Sequence, residues 1–278
     1  MKFHAFSAAT IAAIATCAVS SARADSEAAL AEVAATAGVA IGLTDAEKDL
    51  SDTWTGKVGL GFDAQGGNTE KSGFSVGAEA KKLEGGYVVV SSAEGGWEET
   101  KVVDSDGTER DERTLGYAKA SVNAKRRFEG LGFFVYGDFS ARNDDVSGVR
   151  YRVSESAGLG TYLVDEEGLK LSIEAGVAEV QEKLAGAESD NYTAFRLAER
   201  GDYIPSWGDN VSLFEFAEWL CDADDSDHWF AKAEAGIDIP MVASMNLALK
   251  VSLDHENMPA AGKEKTDRRF TAQVGWAF

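Results

Sequence analysis

The final nine residues, Phe270-Thr271-Ala272-Gln273-Val274-Gly275-Trp276-Ala277-Phe278, constrain this chain more than any other stretch. Phe270, Ala272, Val274, Trp276 and Phe278 fall on one face of an extended strand, and Thr271, Gln273, Gly275 and Ala277 on the other. A repeat of two is the signature of β-structure. One face is apolar and aromatic, the other small and polar, which suits a wall between lipid and a wet lumen. An apolar strand left at a sheet edge is an aggregation hazard. Pairing with the first strand of the same chain removes that edge by closing a barrel.

The same alternation recurs upstream. Trp54, Val58, Leu60 and Phe62 share a face, as do Phe74, Val76, Ala78 and Ala80. So do Leu169, Leu171, Ile173, Ala175 and Val177, and later Trp229 through Ile239 and Met245 through Leu253 at alternate positions. Twelve segments begin near Trp54, Glu70, Gly86, Arg113, Gly132, Val149, Leu169, Asn191, Asn210, Trp229, Ala243 and Arg269. The apolar face changes parity around Leu115–Ala118, which predicts a β-bulge. Glu215 and Glu218 fall on opposite faces of the ninth segment and leave its register open. Glu155 falls on the lipid face of the sixth, near its end. Pro205, Pro240 and Pro259 all lie in predicted turns, as expected for a residue without a ladder donor. With both termini periplasmic, Val103–Glu112, Lys183–Asp190, Cys221–Asp227 and Glu256–Asp267 are long, polar outer loops. Lys82–Gly85, Phe128–Leu131, Asp165–Gly168 and Pro240–Val242 are short inner turns, and Gly201–Asp209 is an inner turn of unusual length. Short periplasmic turns with longer outer loops are the expected asymmetry.

The beginning of the chain reads as an export signal. Lys2 and His4 precede an apolar stretch from about Ala5 to Val19, and Ala22-Arg23-Ala24 fits a cleavage site. The run is shorter than the ~20 residues of a membrane helix, and Ile14-Ala15-Thr16 before Cys17 is a poor lipoprotein signal. The predicted layout is a signal peptide over 1–24, a periplasmic arm over 25–53 and an outer-membrane barrel over 54–278. The arm is Ala-rich and helix-prone, with Leu30, Val33, Ala34 and Ala37 at helical spacing. Its alternatives are a mobile arm and a plug in the lumen. The fold class is therefore all-β, a closed antiparallel transmembrane barrel of about twelve strands.

The formal charge is −20, and removal of Lys2 and Arg23 with residues 1–24 takes it to −22. That excludes nucleic acid as a natural partner. Cys17 leaves with the signal, and Cys221 then stands alone, without an intrachain partner for a disulfide.

The stretch Trp54-Thr55-Gly56-Lys57-Val58-Gly59-Leu60-Gly61-Phe62, followed by Gly66-Gly67-Asn68-Thr69-Glu70, resembles the first hairpin of the salt-induced outer-membrane proteins. These are a domain-of-unknown-function family of Gram-negative β-barrels. Tyr136-Gly137-Asp138-Phe139, Arg150-Tyr151-Arg152 and Gly158-Leu159-Gly160-Thr161-Tyr162 resemble its middle section. The resemblance covers about Trp54 to Phe278, and Asp190–Asp227 matches less well. It implies a barrel in a Gram-negative outer membrane, linked to salt or osmotic stress. It supplies no catalytic residue and no ligand. The chain's ending also resembles the signal read by the barrel-assembly machinery, which makes Phe270, Val274, Trp276 and Phe278 candidate assembly residues. Outer-membrane lipid and lipopolysaccharide are then the surrounding partners.

Candidate chemistry is sparse. No dinucleotide fingerprint, P-loop or zinc-ligand cluster occurs, and no cofactor is expected. A lipid-active barrel enzyme could draw on His255 with Asn257 and Ser252, or on His228, but spacing alone cannot set a nucleophile against its base. A water-soluble closed barrel is the structural alternative. The expectation is a non-enzymatic envelope barrel or narrow passive channel. Acidic residues gather in the predicted outer loops: Asp104, Asp106, Glu109, Asp111 and Glu112; Asp144 and Asp145; Asp222, Asp224, Asp225 and Asp227. They form a solvated acidic crown or a site for divalent cations. Asp104-Ser105-Asp106-Gly107 begins like a calcium loop but lacks the later glutamate.

On the assigned registers, Lys119, Lys125, Arg142, Arg150, Arg152, Lys170, Lys232 and Lys250 face the lumen with Glu79, Asp138, Glu174, Glu234 and Asp254. Such a set either packs a narrow lumen with ion pairs or lines a pore. Because cations outnumber acids in it, a modest anion preference is expected of any current.

Overall fold

The computed structural model describes residues 54–278 apart from the short connections 67–70, 85, 104–108, 129–130, 146, 207–210 and 243. The predicted signal peptide, the 25–53 arm, the Gly67-Asn68 turn and the Asp104–Gly107 segment lie outside the described residues. Twelve strands follow in order: β1 (Thr55–Gly66), β2 (Lys71–Glu84), β3 (Tyr87–Val103), β4 (Glu109–Arg127), β5 (Phe133–Asp144), β6 (Val149–Glu166), β7 (Leu169–Leu184), β8 (Ser189–Tyr203), β9 (Ser212–Asp222), β10 (Trp229–Pro240), β11 (Met245–Glu256) and β12 (Thr266–Ala277). Each begins within four residues of its predicted start. Every strand pairs with its sequence neighbours, and β1 pairs with β12, closing the ring.

Closure is built from the two patterns that opened the sequence. β1 and β12 run antiparallel with Val58 opposite Trp276, Leu60 opposite Val274, Phe62 opposite Ala272 and Ala64 opposite Phe270. These apolar pairs all face outward. Inward, Gly59 meets Gly275 and Gly61 meets Gln273. Phe278 exchanges backbone hydrogen bonds with Gly56, N to O distances of 2.9 and 3.0 Å, so pairing continues through the last residue. A Cβ on Gly56 would sit 2.6 Å from the Phe278 ring, so glycine there seats that ring.

The outer face carries a band of exposed large apolar side chains: Leu60 at 60%, Phe74 at 67%, Leu159 at 58% and Val177 at 52%. The inner face is polar and buried. Burial in this protein therefore marks the lumen, the reverse of a water-soluble sandwich.

The predicted bulge is present. Gly96 pairs with Tyr117 and Trp97 with Leu115, leaving Gly116 as the extra residue. The shift turns Tyr117 inward, where it is fully buried. Its ring lies against Gly96, at which a Cβ would come within 2.2 Å of Tyr117 Cε1.

Several predicted loops are strand. The hairpin of β3 and β4 continues to Val103 opposite Glu109, so Glu109, Asp111 and Glu112 belong to β4. Asp144 and Glu256 end β5 and β11, and Pro240 closes β10 opposite Asn246. Strands here outrun the apolar band: β7 passes from Leu171, Ile173, Ala175 and Val177 to Glu179 and Gln181 on the same face. Glu155 pairs with Glu179 at that polar margin, which explains an acidic residue on the outer face. The long inner connection after β8 folds back on the turn before β7. Ile204 N–H donates to Gly168 O at 2.8 Å, and Pro205 is fully buried.

Candidate functional site in the lumen

The alternation that puts apolar groups outward sends every second residue into a narrow space. Charged side chains gather there. Near the end of the barrel that holds the last residue, Lys57 on β1 pairs with Asp238 on β10, and Asn246 donates to Asp238 at 2.8 Å. Along one side, Glu174 takes Lys125 at 2.6 Å and Arg196 at 2.9 Å, while Arg196 also reaches Glu218 at 2.6 Å. In the middle, Lys250 joins Glu94 at 2.5 Å and Glu234 at 3.1 Å. The Tyr117 hydroxyl lies 2.7 Å from Glu94 and 2.6 Å from Asp63. Arg269 stacks on the Tyr117 ring at 3.6 Å and reaches Asp144 at 3.2 Å.

The outer end is tied most tightly. Glu256 on β11 accepts two hydrogen bonds from Arg152 on β6, at 2.6 and 2.8 Å, and pairs with Arg142 on β5. Arg142 also lies 3.4 Å from Asp254. β5 and β11 are six strands apart in either direction around the ring, so this contact crosses the full width of the lumen. The guanidiniums of Arg142 and Arg152 lie over the Phe230 ring at 4.8 and 4.5 Å. Above them the β11–β12 connection leans across. Ala260 is buried, and a Cβ on Gly148 of the opposite β5–β6 turn would lie 3.0 Å from its Cβ.

Arg152 also donates to Glu182 at 2.6 Å. His228, in the connection outside the strands, spans Glu182 at 3.1 Å and Asp222 at 3.2 Å. Hydrogen bonding to Glu182 first, then to Asp222, outweighs burial and raises its imidazole to about 9. His228 is therefore cationic at neutral pH and clasps the β9–β10 turn to β7.

These residues correct the lumen assignment. Lys119, Lys125, Arg142, Arg152, Lys232 and Lys250 do face inward, with Glu79, Asp138, Glu174, Glu234 and Asp254. Arg150 does not. A register shift between Val149 and Tyr151 turns it to solvent, where it pairs with Asp145 at 3.2 Å. Lys170 sits at the rim beside the β6–β7 turn, on Asp165, 2.6 Å away. The expected excess of lumen cations is overturned as well. Among the described residues the buried cations are Lys57, Lys125, Arg142, Arg152, Arg196, Lys232, Lys250 and Arg269. The buried acids are Asp63, Glu79, Glu94, Asp144, Glu174, Glu182, Glu234, Asp238, Glu256 and Asp267. Acids outnumber cations, and the basis for anion preference is gone. Asp144 and Glu256 fall in segments whose polar sequence reads as loop, whereas Glu94 and Asp238 lie within strands, on the inward positions of β3 and β10.

The acidic crown is also less free than expected. Asp144 is buried on Arg269, and Asp222 is held by His228. Among the described residues no group of three or more His, Cys, Asp or Glu side chains is arranged to hold a metal ion. The Ser252–His255 pair is not assembled: Ser252 is buried in the lumen, while His255 stacks on Trp229 on the opposite face of β11. The assembly candidates Phe270, Val274, Trp276 and Phe278 all lie on the outer face of β12.

No curated protein matches the sequence. Among solved structures the chain is similar to a NanC porin, at 9% identity and a TM-score of 0.49, covering 79% of this chain and 98% of that one. It is similar to the translocator domain of the autotransporter NalP from Neisseria meningitidis, at 15% identity and a TM-score of 0.47, covering 94% and 100%. An anion-selective porin from Comamonas acidovorans matches at 8% identity and a TM-score of 0.43, covering 83% and 100%. The model of the family described as protein of unknown function, DUF481, matches residues 58–278, and the chain belongs to that family.

Proposed function

We propose that the protein is an envelope barrel of the Gram-negative outer membrane whose lumen is held shut by its own ion pairs. It is a structural component that passes small ions only when those pairs part. One observation carries this reading: Glu256 is gripped by Arg142 and Arg152 from the opposite wall. A bilayer location is supported by the exposed apolar band, which a water-soluble barrel would leave in water. Export through a signal peptide over residues 1–24, a periplasmic arm over 25–53, and recognition of Phe270, Val274, Trp276 and Phe278 by the assembly machinery belong to the same proposal. So do contacts with lipopolysaccharide and with divalent cations at the acidic outer loops. The non-enzymatic reading is favoured by the separation of Ser252 from His255. The link to salt stress rests on the family resemblance and is tested by growth of a deletion strain at raised salt.

The direct test is single-channel recording in planar bilayers. The wild type is expected to be almost silent. Glu256→Gln combined with Arg142→Gln should open measurable current that favours cations, because the buried acids outnumber the buried bases. A large, steady wild-type conductance would overturn the closed-lumen reading. Phospholipid or lipopolysaccharide hydrolysis lost on His255→Ala would replace the non-enzymatic one.

A further inference from the structure

On the lipid-facing side, the outer ends of β10, β11 and β12 carry a group of side chains that point away from the lumen and its ion pairs. Trp229 and His255 stack with ring centroids 4.8 Å apart and an interplanar angle of 18°. His255 Nδ1 lies 2.8 Å from Thr266 Oγ1, which fixes the ring and directs its Nε2 edge away from that contact. Arg268 is on the same face of β12 as Thr266 and is exposed. It sits opposite Leu253, two residues from His255 on β11. Diagonal neighbours of this kind are roughly 7–8 Å apart, within reach of long side chains meeting at one point. Immediately below lie Phe270, 43% exposed, and Val251, 49% exposed.

The height of this group is informative. Trp276 lies at the periplasmic end of the same face of β12. Eight residues separate it from Arg268. At a rise of ~3.3 Å per residue and a strand tilt near ~40°, this is about 20 Å along the membrane normal. The apolar band of such barrels is ~25 Å tall. Arg268, His255 and Trp229 therefore stand where the acyl region of the outer leaflet gives way to headgroups. A guanidinium fork and an oriented imidazole match a phosphate. The apolar side chains beneath match acyl chains, and a tryptophan suits the interface between them. On a chain of formal charge −20, an exposed arginine at this height is complementary to an anionic lipid.

We propose that Arg268, His255 and Trp229 form a binding site for the phosphate of an acylated outer-leaflet lipid, with its chains lying along Phe270 and Val251. This rests on the membrane placement proposed above. The test is native mass spectrometry of the detergent-solubilised full barrel in EDTA, so that bridging cations do not contribute. The probes are bisphosphorylated lipid A, dephosphorylated lipid A and inorganic phosphate. The wild type should retain one bisphosphorylated lipid, with at least tenfold weaker retention of the dephosphorylated form. Arg268→Gln, with or without His255→Ala, should lose the same factor while keeping heat-modifiable migration. Equal retention by a folded Arg268→Gln variant, or by the dephosphorylated lipid, would overturn the site. Displacement by an equal concentration of inorganic phosphate would show that the anion alone is bound and would overturn the lipid assignment. Failure of the wild type to insert into liposomes would remove the membrane placement itself, whereas unchanged retention in variants that do insert removes only this site.

Discussion

Two seams of the same barrel are built differently. β1 and β12 come from opposite ends of the described chain, yet they pair over ten consecutive positions from Lys57–Ala277 to Gly66–Arg268. β9 and β10 are neighbours in sequence and lie side by side in the ring, with Trp229 in register with Cys221. The difference follows the sequence pattern. β1 and β12 alternate without error, so a one-residue slip would turn Val58, Leu60, Phe62, Val274 and Trp276 into a charged lumen. Register is strongly specified where one face must be buried in a distinct solvent. β9 has Glu215 on its outer face and Glu218, Phe214 and Phe216 on its inner one, so a slip costs it less. Closing a barrel over a long chain separation is thus not its weak point. The weak point is where the alternation is mixed.

The largest expected effect tests the strong seam. Replacing Trp276 and Phe278 together by Asp should abolish assembly, read as loss of heat-modifiable migration and of protein in the membrane fraction. Normal membrane levels would mean that the apolar face of β12 does not direct closure. Next, Gly61→Val should destabilise the barrel by roughly 3 kcal/mol or more, since overpacking costs ~1–3 kcal/mol and here the backbone blocks relief. A Cβ there would lie 2.6 Å from Ala272 O and 2.2 Å from Gln273 Cγ. A like increase in volume on the outer face of β10, Ala231→Val, meets no such lumen-side clash and should stay within about 0.5 kcal/mol. Equal losses in urea titration would mean that the tight lumen-side packing of the β1–β12 seam does not set the cost.

Hydrogen exchange in detergent sharpens it without mutation. Amides of β9 and β10 should exchange faster than those of β1 and β12, because a strand of mixed alternation holds its register less firmly and local opening begins there. The smallest effect concerns the clasp above the weak seam. Asp222 N–H donates to His228 O at 2.9 Å, and the His228 ring ties the turn to Glu182. The imidazole is raised from its ordinary 6.5 to about 9 in the folded protein. Its contribution is therefore complete below about pH 6.5 and is lost as pH rises through about 9. His228→Asn should destabilise the barrel at pH 6, and the gap to wild type should close by pH 10. A gap independent of pH would mean that the ring acts by packing on Tyr192, 4.5 Å away, and not by charge.

Much of this barrel was legible in the chain. Twelve segments, the closing pattern of Phe270 to Phe278 and the bulge at Leu115–Ala118 follow from counting by twos, because lipid and lumen impose opposite demands on adjacent residues. The lumen was legible only in part. The alternation points Arg150 inward because nothing in Val149-Arg150-Tyr151 announces a register shift, which depends on how β6 lies against β7. The pattern gives Asp144, Glu182 and Glu256 no lumen position because polar residues beyond the apolar band look alike whether they end a strand or begin a loop. Their partners settle the matter, and Arg269, Arg142 and Arg152 stand on strands that only ring closure brings opposite. The sequence by itself determined which side of the wall each regular residue faces, since that is a local choice between two solvents. Only the tertiary structure decided that the lumen is bridged and that, among the described residues, more acids than bases are buried, since an ion pair across the ring joins residues more than a hundred positions apart.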